Sequence, residues 1–175
     1  MMKPIWFLTL AVAVFAAVFA VAEPVTAQEN FGARLRGFEE VPSISTAGQG
    51  FLFVALNGPG TALDYQLFYF NLQGSVTQSH IHVGNPGVNG GIVLFFCTNL
   101  APPAGVPAPP ACPSAAGLNT VTGTLTAANV TPQTAQGVSA GEFAEVIRAM
   151  RTGFAYANVH SDLFPGGEIR GQISQ

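Results

Sequence analysis

The chain has 175 residues, of which 49% are hydrophobic and only 9% charged, with 20 Gly and 13 Pro. Its formal net charge is −3, and its arginines are scattered as Arg34, Arg36, Arg148, Arg151 and Arg170. The absence of a basic run argues against nucleic acid as a partner.

The first segment reads as an address rather than as fold. Ile5 to Ala22 carries no charge, Lys3 precedes it, and Ala20-Val21-Ala22 and Val25-Thr26-Ala27 each supply a small-x-small cleavage pattern. A secretory signal peptide over residues 1–27, cleaved after Ala22 or Ala27, is the expectation. An uncleaved anchor is the alternative, since an 18-residue run is near the minimum for spanning a bilayer. Only then would a membrane be a partner. Residues 28–175 are long enough for a single domain with its own core, placed in a secreted or periplasmic setting.

Alternation predicts a first strand from Phe31 to Arg36, with Phe31, Ala33 and Leu35 on one face. Gly50 to Leu56 and Thr61 to Leu72 follow as strands, and Asn57-Gly58-Pro59-Gly60 joins them as a hairpin. In the second of these, Leu63, Tyr65, Leu67 and Tyr69 share a face. Val76 to Val83 is a further strand, and the Gly-rich stretch Gly84 to Gly91 is a loop. Ile92 to Phe96 is an unbroken apolar run, consistent with a strand buried on both faces.

Residues 101–113 hold six prolines and read as an irregular or polyproline-like loop. Cys97 and Cys112 are the only cysteines. In a secreted chain they are expected to form a disulfide, contributing ~3 kcal/mol in the chain-entropy view. Val121 to Leu125 is a short strand. Ser139 and Glu142 have capping-box spacing, and Phe143, Val146, Ile147 and Met150 form a helical stripe that Gly153 ends. Phe154 to His160 alternates again, and Glu168 to Ser174 returns with Ile169 and Ile173 inward. Short strands separated by Gly/Pro turns, with one helix in a connection, predict an antiparallel β-sandwich or barrel.

The chemistry is concentrated in the three histidines, His80, His82 and His160, which lie in two segments about eighty residues apart. Residues i and i+2 of a strand point to one face, so His80 and His82 can converge. If the fold adds His160, three imidazoles suit a copper or zinc ion, with binding that weakens below about pH 6 as the rings protonate. Two other readings stay open: a structural polar network using the Ser79 or Asp162 side chain, and a site for another ligand. Asp162 reads either as an outer acceptor for an imidazole N–H or as a turn residue. No catalytic residue is assigned, since His160-Ser161-Asp162 alternate across a strand and cannot form a hydrolase triad. Glu168 and Arg170 are expected as an exposed pair, and Glu39 and Glu40 as solvated surface.

Several motifs resemble the chordin-type (CHRD) domain: Leu35-Arg36-Gly37-Phe38-Glu39-Glu40-Val41-Pro42, Ser79-His80-Ile81-His82, Asn89-Gly90-Gly91-Ile92-Val93, Gly123-Thr124-Leu125-Thr126, and Tyr156 to His160 through Gly166 to Ile173. The chain is similar to the stand-alone secreted bacterial type, and the resemblance covers essentially all of residues 28–175. It implies an immunoglobulin-like Greek-key β-sandwich, distantly similar to Cu/Zn superoxide dismutases. The segment 97–113 looks like an insertion relative to that pattern. By the dismutase similarity, His80, His82 and His160 match three copper-ligand positions, while no histidine remains for a second metal. Three functions follow as expectations: a binding module with a mononuclear metal site, a copper-only redox enzyme, or an interaction domain for an unspecified extracellular ligand or protein.

Overall fold

The computed structural model describes residues 28–175, so the signal-peptide reading lies outside the described residues. Strands β1 (Glu29–Arg36), β2 (Gln49–Leu56) and β3 (Ala62–Phe70) form a meander, and β4 (Val76–Val83) and β5 (Gly91–Thr98) a second antiparallel pair. Then come β6 (Asn119–Thr126), helix α1 (Phe143–Arg151), β7 (Ala155–Ser161) and β8 (Ile169–Gln172). The eight strands make one antiparallel sheet in the order β5-β4-β7-β8-β1-β2-β3-β6. Strands β5 and β6, at its two ends, lie against each other without pairing, so the sheet curls into a nearly closed barrel.

Alternation decides which side chains fill it. Leu52, Val54 and Leu56 of β2 and Leu63, Tyr65, Leu67 and Tyr69 of β3 are all buried in one apolar cluster, as period-2 patterning requires. The predicted hairpin forms: the Asn57 carboxamide oxygen accepts the Thr61 and Ala62 N–H groups, and Gly60 takes φ +73°. Where β5 faces the open seam, its carbonyls find other donors. Tyr65 Oη donates to Phe96 O at 2.8 Å, Thr131 N to Val93 O at 2.9 Å, and Gln133 Nε2 to Ile92 O at 2.9 Å. A buried carbonyl left unpaired would cost about 1–3 kcal/mol.

The disulfide Cys97–Cys112 is formed, with Cα atoms 5.0 Å apart, and ties the Pro-rich loop to β5. Helix α1 packs the predicted stripe of Phe143, Val146, Ile147 and Met150 on the barrel. Its start departs from the capping-box reading. Glu142 accepts the Ser139 N–H, but Gly141 at φ +80° breaks the turn between them, and the helix begins only at Phe143. Gly153 at φ +76° ends it. Among the described residues, no helix is long and apolar enough to cross a membrane.

Candidate metal centre

Inward positions of β4, β7 and β8 feed the core: Ile81, Ala157, Val159 and Ile169 are each 0% exposed. The alternate residues therefore point out of the barrel, namely His80 and His82 of β4, Tyr156, Asn158 and His160 of β7, and Arg170 of β8. The register sets His80 opposite Asn158, His82 opposite Tyr156, and Asn158 opposite Arg170. Outward residues on a barrel are normally wet. These are not: His80 is 0% exposed, His82 and His160 7%, and Asn158 and Arg170 2%.

Loops make the difference. The stretch from Gly84 to Gly90 folds back over the sheet, and Arg170 holds it. The guanidinium donates to Asn89 Oδ1 at 3.1 Å and to the carbonyls of Asn85 and Val88 at 3.2 and 2.9 Å. Arg170 also lies 3.4 Å from the Tyr156 ring centroid, and Tyr156 stacks on His82 at 4.6 Å with planes 3° apart. A Cβ on Gly90 would sit 1.7 Å from the Val83 carbonyl oxygen, so only glycine brings this backbone close enough to cover His82. From the other side, Asn89 Nδ2 reaches Val41 O and brings in the loop that carries Glu40.

Inside this cover the three imidazoles meet. One ligand atom from each of His80, His82 and His160 lies within 4.8 Å of the others. His80 packs 4.6 Å from His160 and 4.8 Å from His82, ring centroid to ring centroid. The tautomers of two rings are set by backbone. His82 Nδ1–H donates to Gly90 O and His160 Nδ1–H to Pro165 O, both at 2.8 Å. Each Nε2 is therefore a lone pair. His80 Nδ1 lies 2.9 Å from His82 Nε2 and 3.0 Å from Asn158 Oδ1. Two buried imidazole nitrogens, His80 Nε2 and His160 Nε2, have no hydrogen-bond partner.

Burial also fixes the protonation state. It holds His80 well below the ordinary imidazole range, with the neighbouring His160 and His82 adding to the effect. It pushes His82 down to about 4 and lowers His160. Desolvation penalises the imidazolium form, so the three rings are neutral at pH 7, the state a metal ion requires. The onset of protonation expected near pH 6 moves to lower pH accordingly.

Two expectations, the exposed Glu168–Arg170 pair and a solvated Glu40, need correction, and of the two readings left open for Asp162 its contacts fit the turn residue. Asp162 touches none of the imidazoles: its Oδ1 accepts the Ser75 N–H at 2.8 Å, and carbonyl groups serve the rings instead. Glu168 and Arg170 are not an exposed pair; they are 0% and 2% exposed. Glu168 accepts from Thr46 Oγ1 and from the backbone N–H groups of Gln73 and Gly74, which pins the β3–β4 connection. Glu40 is buried rather than solvated, at 4% exposure. Burial pushes its carboxyl up to about 7, against the lowering effects of Arg170 and of hydrogen bonds from the Val41 backbone and the Asn158 side chain. Asn158, Tyr156 and Arg170 were not foreseen as parts of the site. The one signal they left is their place in strand register with the histidines.

The network explains why outward residues of these strands are polar and still buried. No curated protein and no solved structure matches the chain. The family model of the CHRD domain matches residues 31–173, nearly all of the described chain, and the chain belongs to that family.

Proposed function

We propose that this CHRD domain is an extracytoplasmic binding module that holds one copper or zinc ion between His80, His82 and His160. The observation that carries the reading is the pair of buried, partnerless nitrogens, His80 Nε2 and His160 Nε2, in a cluster whose rings are kept neutral. A purely structural histidine network satisfies its ring nitrogens, because each buried polar atom left without a partner costs about 1–3 kcal/mol. Borderline and soft imidazole donors select Cu(II) or Zn(II) over Mg(II) and Ca(II). Gly90 O and Pro165 O orient two of the rings through their Nδ1–H groups, the kind of outer support that tunes metal affinity.

Bound here, the ion would tie β4 to β7, and copper would add a redox-active centre. Burial favours retention over turnover, since the three rings are at most 7% exposed and catalytic centres keep an open coordination position. The Cys97–Cys112 disulfide supports an oxidising compartment.

The test is metal analysis of the purified protein after dialysis against copper and zinc, with EPR of the copper form. Near one equivalent of Cu(II), with nitrogen hyperfine structure that is lost in His82→Ala, is the expected result. Substoichiometric metal that His82→Ala leaves unchanged would overturn the reading.

A further inference from the structure

We propose that the outer face of β1, β2, β3 and β6 carries a trough that binds a neutral oligosaccharide. The trough shares no residue with the histidine cluster and stands independently of the metal reading.

Strand register lays it out. Asn30 pairs with Ala55, Ala55 with Asp64 and Asp64 with Thr124, so one outward row crosses all four strands. Two residues along each strand, a second outward row runs parallel through Gly32, Phe53, Gln66 and Thr122. Between the rows lies a groove of about 610 Å³, within the range of roughly 300–1,000 Å³ typical of small-ligand sites. Three strand spacings make it ~14 Å long, room for a short run of sugar rings. Gly123, at the β6 end, has no side chain to close it. A Cβ there would lie 2.8 Å from Tyr65 Oη, which is tied to Phe96 O.

The two walls differ in chemistry, and together they fit one class of molecule. One presents the Asn30 carboxamide, the Asp64 carboxylate and the Thr124 hydroxyl, all on exposed residues. The other presents the Phe53 ring, 57% exposed and met edge-on by Phe68, with Gln66 and Thr122 beside it. A pyranose has hydroxyls around its edge and an apolar C–H face, so it satisfies both walls at once.

Charge selects a neutral one. Among the described residues no lysine or arginine lines the groove, so a uronate, sulfate or phosphate group finds no counter-charge there. The one carboxylate, Asp64, accepts the Thr124 hydroxyl at 2.5 Å and repels anions while still accepting sugar hydroxyls. An extended peptide adds to a free strand edge, whereas the strands under the groove pair with one another along this row. A second copy of the chain fits poorly as well, since polar side chains make up most of the walls and homodimer interfaces are more apolar.

The experiment screens the purified protein on an array of neutral and anionic oligosaccharides. Hits are then measured by isothermal titration calorimetry, with circular dichroism as the fold control. Wild type should bind a neutral oligosaccharide, more tightly than the single sugar and with little change between low and high salt. Phe53→Ala should weaken binding about 10–100-fold, and Gln66→Ala about 3–10-fold. Phe53→Tyr keeps the ring and should bind within about threefold of wild type, which tests the site even if the Ala variant does not fold. Wild type that binds no neutral oligosaccharide would overturn the inference. So would a folded Phe53→Ala variant that binds within about threefold of wild type, or binding only of anionic chains that salt abolishes. Light scattering covers the remaining case: a dimer that Phe53→Ala dissociates would assign this face to a second copy and overturn the inference too.

Discussion

The barrel has two outer faces, and they invert the usual rule. Over β4, β7 and β8 the outward side chains are His, Asn, Tyr and Arg, and they are buried. Over β2 and β3 the outward side chains include Phe51, Phe53 and Phe68, and Phe53 is 57% exposed, in an edge contact with Phe68. Strand alternation assigns both sets to the outside. What separates them is whether a loop returns over the strand. Where Gly84 to Gly90 and the Glu40 segment cover the sheet, water is excluded, and polar groups must satisfy one another or a ligand. The lesson is that the outward half of a strand pattern has two fates, and only the connections decide which.

Substitutions across the two faces sharpen this contrast. The largest loss is expected for Arg170→Ala, about 4 kcal/mol, because three loop acceptors lose a charged donor and Tyr156 loses its stacking partner. Urea denaturation measures it. A loss under 1 kcal/mol would show that the cover is held by something other than Arg170.

Leu67→Ala, inside the barrel at 0% exposure, should cost about 3 kcal/mol through lost burial and a residual cavity. It should leave the metal content untouched, whereas Arg170→Ala should lower it.

The covered face should also carry the pH dependence. In the metal-free protein, His82 has a folded-state pKa of about 4, below the ordinary 6.5. Its contribution to stability is complete above pH 6.5 and is lost as pH falls through 4, because the unfolded chain takes the proton first. Glu40 has the opposite sign. Its carboxyl is raised from 4.5 to about 7, so its contribution is complete below pH 4.5 and is lost as pH rises through 7. Glu40→Gln should therefore gain on wild type between those two values, by an amount on the order of 2–3 kcal/mol. Chemical denaturation at pH 5 and pH 7.5 checks it, and a pH-independent difference would place Glu40 in contact with water.

The smallest effect is expected on the open face. Phe53→Ser should change stability by less than about 1 kcal/mol, since the ring is more than half exposed. A larger loss would mean that this face, too, is covered in solution.

Much of the barrel was legible because period-2 patterning is a direct consequence of pleat geometry. Leu63, Tyr65, Leu67 and Tyr69 point inward as read, and the turn at Asn57 forms where Gly and Pro demand it. The histidines were legible for a different reason, namely that a chain with three of them places all three on two strands. Asn158, Arg170 and Glu40 were not, since nothing in a strand's own pattern reports the loop above it. Arg170 and Glu168 were read as an exposed pair because they share a face. In the structure each turns to a different loop, Arg170 to the Asn85–Asn89 carbonyl groups and Glu168 to Gln73 and Gly74. The Ser139–Glu142 spacing misled about the helix start because Gly141 takes a left-handed turn that the spacing rule ignores.

The histidine cluster lies outside the barrel wall, with its donors on strands and its cover on loops. Opening the cover therefore does not require the barrel to unfold. Strands β4 and β7 pair along most of their length and belong to the slowest-exchanging part of such a fold, while a Gly-rich loop opens sub-globally at much lower free energy. The residence time of anything held there is then governed by the lifetime of the closed Gly84–Gly90 segment and not by the global unfolding rate. On the reading proposed above, a bound ion would leave and return through opening of this loop, without global unfolding of the barrel.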